Sequence, residues 1–273
     1  MDIKKIYKYL FLIMAIYLIF LFPTTLLGDD TLVGGNGYTV FPINTDKIQM
    51  LSEHVKITMG SYNSSESAVP IRKAFVRCIF VFKNISNKGI KAIVGFPTDI
   101  YDGYGGLILP DLNDFTSYIS GRPVKVEIKK EIIGEKTKIA ITAPTFQYYE
   151  GGQKKVKPYR YWYTWEVNFP ALKKVVLKNS YWITLSSDQE KQWFDYILTT
   201  GANWKGNIGK AVIEVIYPSA KDLKKRVIKI EPEGYMTYGN KIYWEFKNFK
   251  PKTDIKIIEK YHVNELNIRD FQK

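Results

Sequence analysis

The glycine-rich stretch TGANWKGNIGKAVIEVIYP, Thr200–Pro218, has a composition that could bind a phosphate group. A phosphate-binding loop of the P-loop type reads G-x-x-x-x-G-K-[ST], follows a strand and opens a helix. The position that should hold its first glycine is Trp204, and Ala211 stands where a magnesium-binding hydroxyl belongs. The alternating apolar residues after Lys210 are typical of a strand. The stretch therefore predicts a strand-to-strand connection rather than a nucleotide site.

Nucleophiles and metal ligands are scarce. The chain has two histidines, His54 and His262, and a single cysteine, Cys78, so that no intrachain disulfide can form. The motifs G-x-S-x-G, H-E-x-x-H and C-x-x-C are absent from the sequence. We expect Cys78 to be a small core residue and both histidines to be surface or structural residues. These observations favour a protein that is not an enzyme, although a linear sequence leaves that question open.

Two neighbouring segments, DIYDGYGG and PDLNDF, form an acidic loop. Carboxylate and amide oxygens are suitable calcium ligands, but their spacing differs from that of an EF-hand. A solvated loop with local turns would have the same composition. Calcium is the only cofactor that the sequence suggests, and the candidate ligands are Asp99, Asp102, Asp111, Asn113 and Asp114.

The aromatic segment YRYWYTWEVNFPALKKVVLKNSYWITL predicts two strands that each carry one tryptophan on the polar face. We expect a hairpin around Pro170–Lys174 that makes Trp162 and Trp182 neighbours. Exposed rings beside charges and hydroxyls can stack on sugars or dock a partner, whereas rings covered by a loop or a second sheet would be core. The candidate binding residues are Arg160, Trp162, Glu166, Lys178 and Trp182.

The elements that must position these residues are mostly strands. About a dozen short segments of alternating polarity predict an all-β fold, a large antiparallel β-sandwich spanning residues 46–262. The polar loop EGGQKKVKP could divide it near 145–157 into two packed sub-sandwiches. Short helices are expected near Gln189–Tyr196 and Ser219–Lys225. Residues 29–45 are interpreted as a flexible linker and residues 263–273 as a tail.

The N-terminus has the features of an export signal. Three lysines precede an apolar run of 19 residues, Tyr9–Leu27, and two aspartates follow it. This order of charges places the N-terminus inside and the rest of the chain outside the cytoplasm. The length of the run fits a retained signal anchor, whereas Pro23 and Gly28 favour cleavage. Residues 1–28 are therefore a signal peptide or a signal anchor.

The formal charge is +13 at pH 7, and only three lysines and one aspartate lie in residues 1–28. The exported part is thus basic by itself, which suggests an anionic environment. Export removes nucleic acid from the expected partners. We expect an anionic cell-wall polymer or lipid headgroups, and a glycan or protein partner for the tryptophans.

Several short motifs resemble a family of exported bacterial proteins of unknown function. They are E-x-V-K-I from Glu53, V-x-C-x-F-V-F-K-N at Val76–Asn84, V-G-F-P at Val94–Pro97, W-Y-T-W-E-V at Trp162–Val167, and Thr200–Ala202 followed by W-K-G. The order of a strand, an F-K-N turn, F-P and a later G-R-P-V strand also loosely resembles the vault/inter-α-trypsin type of β-sandwich. The resemblance implies an extracytoplasmic β-rich module, and it supplies no catalytic residues.

The sequence thus predicts an exported, non-catalytic binding or structural protein at the bacterial cell envelope. Two alternatives stay open. A carbohydrate-active enzyme would need two carboxylates facing each other across a cleft. A calcium-dependent adhesion module would use the acidic loop.

The export prediction can be tested on intact cells. Because the basic, acidic and apolar segments orient the chain outward, protease added to the medium should degrade the body of the chain while a cytoplasmic marker survives. Protection of the body until the cells are lysed would contradict this topology.

Overall fold

The computed structural model describes residues 37–38, 41–42, 47–64, 67–98, 112–132, 159–188 and 190–261. All of them belong to a compact unit that spans Thr31–Lys273. Within these ranges, no helix is both long and apolar enough to cross a membrane. The apolar run at 9–27 lies outside the described residues.

The described chain is built almost entirely of strands, as the alternation predicted. One short helix, α1 (Ala220–Arg226), and one 3₁₀ turn, Thr199–Asn203, interrupt them. The strands are β1 (Gly37–Tyr38), β2 (Phe41–Pro42), β3 (Ile48–Ser64), β4 (Ser67–Asn84), β5 (Ile90–Pro97), β6 (Asn113–Ile119), β7 (Arg122–Pro123), β8 (Glu127–Ile132), β9 (Tyr159–Phe169), β10 (Lys174–Thr184), β11 (Ser186–Ser187), β12 (Lys191–Ile197), β13 (Ile208–Ile216), β14 (Val227–Glu231), β15 (Met236–Tyr238), β16 (Lys241–Phe249) and β17 (Ile255–Lys260).

The strands form three sheets. The largest has eight strands in the order β15-β16-β13-β3-β4-β10-β6-β7, and a four-stranded sheet has the order β2-β5-β9-β8. The five-stranded sheet has the order β1-β12-β17-β14, with β11 paired to β12. The all-β prediction is confirmed, but the expectation of purely antiparallel pairing is wrong. Strand β13 runs parallel to β3, and β1 runs parallel to β12.

Both smaller sheets pack on the same face of the eight-stranded sheet. Alternate residues of β3, β4, β10 and β13 are fully buried there, among them Val76 and Tyr181, which are register partners. Phe96 of the four-stranded sheet packs on Tyr181 with ring centroids 5.4 Å apart. Tyr196 of the five-stranded sheet has its hydroxyl 3.8 Å from the sulfur of Cys78, two residues from Val76. This shared apolar layer is the core.

A buried ion pair fastens the five-stranded sheet to the eight-stranded one. The Nε and Nη2 atoms of Arg72 in β4 donate to the two carboxylate oxygens of Glu259 in β17, at 3.2 and 3.1 Å. Gln192 of β12 donates to the same carboxylate at 2.9 Å, and Arg72 also donates to Ser61 at 3.1 Å. A bidentate pair whose other polar positions are also hydrogen-bonded fixes orientation as well as contact.

Cys78 lies in the core, as predicted, with its thiol buried. Tyr196 donates a hydrogen bond of 2.7 Å to the buried carboxylate of Glu53 beside it. Burial, reinforced by the nearby Glu53, raises the pKa of Cys78 and that of Tyr196 well above their ordinary values. Both groups therefore stay protonated at neutral pH.

The glycine-rich stretch connects strands, and the prediction of an extended segment after it is confirmed. Gly201 lies in the 3₁₀ turn and Gly206 in a turn with φ of +72°. Trp204 is buried against Phe82, with ring centroids 4.3 Å apart. Gly209 lies in β13 itself, one position into the strand.

Two local predictions fail and one holds. The helix expected at Gln189–Tyr196 is wrong, because Lys191–Ile197 forms β12. The linker expected at 29–45 is wrong at residues 37–38 and 41–42, which pair as β1 and β2. The second helix is confirmed as α1, where the Ser219 side chain caps the N-terminus by accepting from the Asp222 amide at 3.0 Å.

A pair of glycine substitutions tests this packing. An alanine Cβ at Gly209 would lie 2.5 Å from the carbonyl oxygen of Leu51, whereas a Cβ at Gly60 meets nothing within 4 Å. Gly209→Ala should therefore lower the free energy of unfolding by about 1–3 kcal/mol, because the two strands must separate. Gly60→Ala should raise it by about 0.5–1 kcal/mol. Urea unfolding of both variants measures the difference, and equal effects would contradict this account.

Asp195 of β12 makes stability depend on pH. Burial raises the pKa of Asp195 to about 6, and Lys256, whose Nζ lies 3.8 Å away, only partly opposes the shift. A carboxyl that binds its proton more tightly when folded stabilises the fold at low pH and loses that stabilisation as the pH rises through its folded pKa.

The free energy of unfolding of the wild type should accordingly fall between about pH 4 and pH 6. This fall should be absent in Asp195→Asn. At pH 7 and above, Asp195→Asn should be more stable than the wild type by on the order of 1–2 kcal/mol. Glu166→Gln, on an exposed side chain, is the control. A lower stability of Asp195→Asn at pH 7 would show that the ion pair with Lys256 outweighs burial.

Candidate functional site

The eight-stranded sheet has a second face, opposite the core, which we call the outer face. It carries the alternate residues that point away from the core, for example His54, Lys56 and Thr58 of β3. Their direct partners on β4 are Ile79, Arg77 and Phe75. The register continues across the sheet, because β10 places Lys178, Ser180 and Trp182 opposite these three residues. Side chains from four or more strands therefore form one continuous surface.

On the half of the outer face formed by β13 and β16, each lysine named below pairs with a carboxylate. Glu214 lies 2.8 Å from His54 and 3.5 Å from Lys241. Glu245 lies 3.3 Å from Lys210 and 3.0 Å from Lys247. Burial alone would raise the pKa of Glu214, but the hydrogen bond and charge of His54, with Lys241, hold it below its ordinary value. Hydrogen bonds from Tyr243 and the two lysines lower the pKa of Glu245 to about 2.

Charges are not balanced on the other half, formed by β3, β4, β10 and β6. We call Lys56, Lys73, Arg77 and Lys178 the cationic patch. Among the residues that the structure describes, none of the four forms an ion pair with a carboxylate. Lys56 and Arg77 are direct register partners, and Lys83 faces Lys174 in the same way farther along. Like charges directly opposite each other on neighbouring strands destabilise a sheet.

Apolar side chains, two of them aromatic, lie between these cations. Phe75, Ile79 and Tyr118 are 37–39% exposed, and the Arg77 guanidinium lies 5.0 Å from the Phe75 ring centroid. Thr116 and Ser180 place hydroxyls within hydrogen-bonding distance of each other, at 2.8 Å. The patch thus combines positive charge, half-exposed rings and hydroxyl groups, a mixture that suits an anionic and hydroxyl-rich ligand.

The hairpin predicted for the two tryptophans does not form. Strand β9 pairs with β5 and β8 in the four-stranded sheet, whereas β10 pairs with β4 and β6 in the eight-stranded sheet. The short connection after Phe169 carries the chain from one sheet to the other. Trp162 and Trp182 are therefore not neighbours, and a single platform that contains both rings is wrong.

The predicted residues on β9 form a cluster of their own. Trp162 is 6% exposed, and its indole Nε1 donates to a carboxylate oxygen of Glu131 at 2.7 Å. Arg160 donates to the same oxygen at 2.6 Å. Glu166 is exposed and pairs with Lys91 at 2.8 Å. These contacts give each polar group a partner within the four-stranded sheet.

The predicted residues on β10, Lys178 and Trp182, do lie on the outer face. The structure adds Lys56, Lys73 and Arg77, which the sequence reasoning missed. The missed signal was the segment KAFVR, which places Lys73, Phe75 and Arg77 on the polar side of β4. Only the pairing of β4 with β10 shows that they share a surface with Trp182.

Two of the predicted calcium ligands are described. Asp114 accepts a hydrogen bond from the Trp182 indole at 2.8 Å, and Asn113 donates to the Trp182 carbonyl at 3.4 Å. Asp99, Asp102 and Asp111 lie outside the described residues. Over the described part of the chain, no group of three or more histidine, cysteine, aspartate or glutamate side chains could hold a metal ion. The calcium site stays a prediction.

A family model described as a domain of unknown function (DUF4424) matches residues 184–258, which include β12 to β16. This match agrees with the resemblance to an uncharacterised family over that part of the chain. No match to a curated protein was found.

Solved structures provide a fold relative. A protein from Legionella pneumophila, provisionally named a nutrient binding protein, is 24% identical with a TM-score of 0.63, and the alignment covers 85% of this chain and 72% of that one. This likeness shows a shared fold. An M1 zinc metallopeptidase from Deinococcus radiodurans is 7% identical with a TM-score of 0.32, over 79% of this chain and 43% of that one, which is too low to carry an argument. Neither match is a vault or inter-α-trypsin domain, so that resemblance remains a prediction.

Proposed function

We propose that this chain is an exported, non-catalytic binding protein of the bacterial cell envelope, and that its outer face binds an anionic wall polymer. The observation that carries the proposal is the cationic patch. Four cations without a carboxylate partner among the described residues lie within a few strand spacings of one another. An extended polyanion would neutralise them together.

The register of β3 and β4 supports an external anionic partner. The repulsion between Lys56 and Arg77 costs the folded protein stability, and a single carboxylate at either position would remove it. The β13–β16 half of the same face has such carboxylates, in Glu214 and Glu245. On the other half, an external anion that binds across β3, β4 and β10 would offset the repulsion as these carboxylates do.

A polymer fits this surface better than a bilayer does. The rings of the patch lie half buried between strands, and Phe75 and Trp182 are covered in part by Arg77 and Lys73. A membrane-binding surface instead presents apolar side chains that insert below the headgroups. A sheet face that carries rings and hydroxyls between its cations suits an extended chain of charged, hydroxylated units.

The non-catalytic part of the proposal has separate support. The Legionella protein that shares this fold is provisionally named for nutrient binding, which is consistent with a binding role for this chain. Export rests on the charges and the apolar run of residues 1–28. The predicted roles of Arg160, Trp162 and Glu166 in binding stay predictions that belong to a different sheet.

Polyanion binding is tested with the full chain, purified in a nonionic detergent and held on a sensor surface. Inorganic polyphosphate and a glycerol-phosphate wall polymer should both bind, and their affinity should fall about tenfold or more between about 50 and 200 mM salt. The double variant Lys56→Gln/Arg77→Gln should weaken binding by about tenfold, because two charge contacts are lost.

The control is Lys210→Gln/Lys247→Gln, which removes the same charge from the β13–β16 half of the outer face. It should change the affinity about threefold or less, since both lysines already pair with Glu245. Equal losses in the two double variants would show that only net charge matters. Binding to phosphatidylglycerol micelles in preference to either polymer would assign the patch to lipid.

A further inference from the structure

We infer that one end of the cationic patch is a site for a single acidic sugar ring, formed by Gly60, Tyr62, Lys73, Asp114 and Trp182. We call it the sugar site. The inference rests on the proposed function and deepens it, because it names a chemical unit of the polymer that one end of the patch recognises. Three independent observations carry it.

The first observation is the position of the Lys73 ammonium. Its Nζ lies 3.6 Å from the ring centroid of Tyr62 and 3.3 Å from that of Trp182. Two ring faces hold the cation in place without neutralising its charge, because a π face attracts a cation but carries no net charge. Lys73 is therefore preorganised to pair with an acidic group that approaches from solvent.

The second observation is Gly60, the direct register partner of Lys73 on β3. Glycine weakens the interior of a strand, and it marks places where another group approaches the backbone closely. Neither a positive φ nor a steric contact requires glycine here, since its φ is not positive and an added Cβ would meet nothing within 4 Å. The bare backbone leaves a shelf beside Lys73 on which a ring can lie.

The third observation is the way Trp182 is held. Its indole Nε1 donates to Asp114 at 2.8 Å, and the Asp114 backbone has a φ of +53°, a left-handed conformation that aspartate adopts more readily than most residues. The hydrogen bond holds the tryptophan ring beside Lys73. A carboxylate has several acceptor positions, so Asp114 can also accept hydrogen bonds from the hydroxyls of a ligand.

These groups together select the ligand chemistry. The shelf at Gly60 accepts one face of a pyranose ring, beside the two aromatic side chains that hold Lys73. Lys73 pairs with a carboxylate or phosphate on that ring. Asp114 accepts hydrogen bonds from sugar hydroxyls. The exposed side chain of Thr184 in β10, the register partner of Lys73, donates or accepts a further one. Neutral sugars lack the partner for Lys73, and a chain of simple phosphates lacks the ring.

The experiment uses the full chain and three probes. They are oligogalacturonate, its methyl ester, which has the same rings without the charge, and inorganic polyphosphate, which has charge without rings. The wild type should bind oligogalacturonate about tenfold or more tightly than the methyl ester. Tryptophan fluorescence should change on binding in the wild type, and this change should be lost in Trp182→Phe.

The main variant is Gly60→Val, which fills the shelf with a side chain that a strand favours, so that folding is not at risk. It should lower the affinity for oligogalacturonate by about tenfold or more and the affinity for polyphosphate by less than about twofold. Thr58→Val, on the same face of the same strand, is the matched control and should change neither of these two affinities. Urea unfolding should show Gly60→Val to be at least as stable as the wild type.

The outcomes separate the two proposals. If Gly60→Val binds oligogalacturonate as the wild type does, or if the methyl ester binds equally well, the sugar site is wrong. Polyphosphate binding that depends on Lys56 and Arg77 would then leave the proposed function standing. If the wild type binds neither oligogalacturonate nor polyphosphate, both proposals are wrong.

Discussion

The bidentate pair between Arg72 and Glu259 joins two sheets at a place where neither charge is exposed to water. Removing either partner would leave a buried charge without compensation, so the pair holds the five-stranded sheet in one orientation on the eight-stranded sheet. The four-stranded sheet adds aromatic contacts such as that of Phe96 with Tyr181 on the same side. The core therefore lies wholly on one face of the eight-stranded sheet.

One-sided burial determines what the outer face can carry. Because successive side chains of a strand point to opposite faces, a charge at Lys56 or Arg77 places nothing polar in the core. The outer face can thus carry like charges close together, because solvent screening limits how much their repulsion destabilises the fold. On the buried side, burial raises the pKa of the Cys78 thiol and of the Tyr196 phenol, so both groups stay protonated at neutral pH.

Local patterning in the sequence predicts much of this fold but not how its strands pair. Alternation correctly identified β4, β9, β10 and β13, and Ser219 marked the start of α1. Strand β12 was mistaken for a helix, although its buried residues Gln192, Phe194 and Tyr196 alternate. Alternation states which residues of a strand share a face, but it does not state which strand lies beside it. Assuming that neighbours in sequence are neighbours in a sheet therefore produced a false hairpin.

The same limit applies to the candidate site, and it explains why only part of it could be predicted. Trp182 was identified from its own strand, whereas Lys73 and Gly60 reach it only through the pairing of β10 with β4 and of β4 with β3. Gly60 and Gly209 look alike in sequence, yet an added Cβ would meet nothing at Gly60 and would lie 2.5 Å from a carbonyl oxygen of the next strand at Gly209. Close packing of the two strands therefore explains Gly209 but not Gly60. A strand glycine without such a contact marks a bulge, a bend or the close approach of another group, and the proposed sugar site uses the last of these.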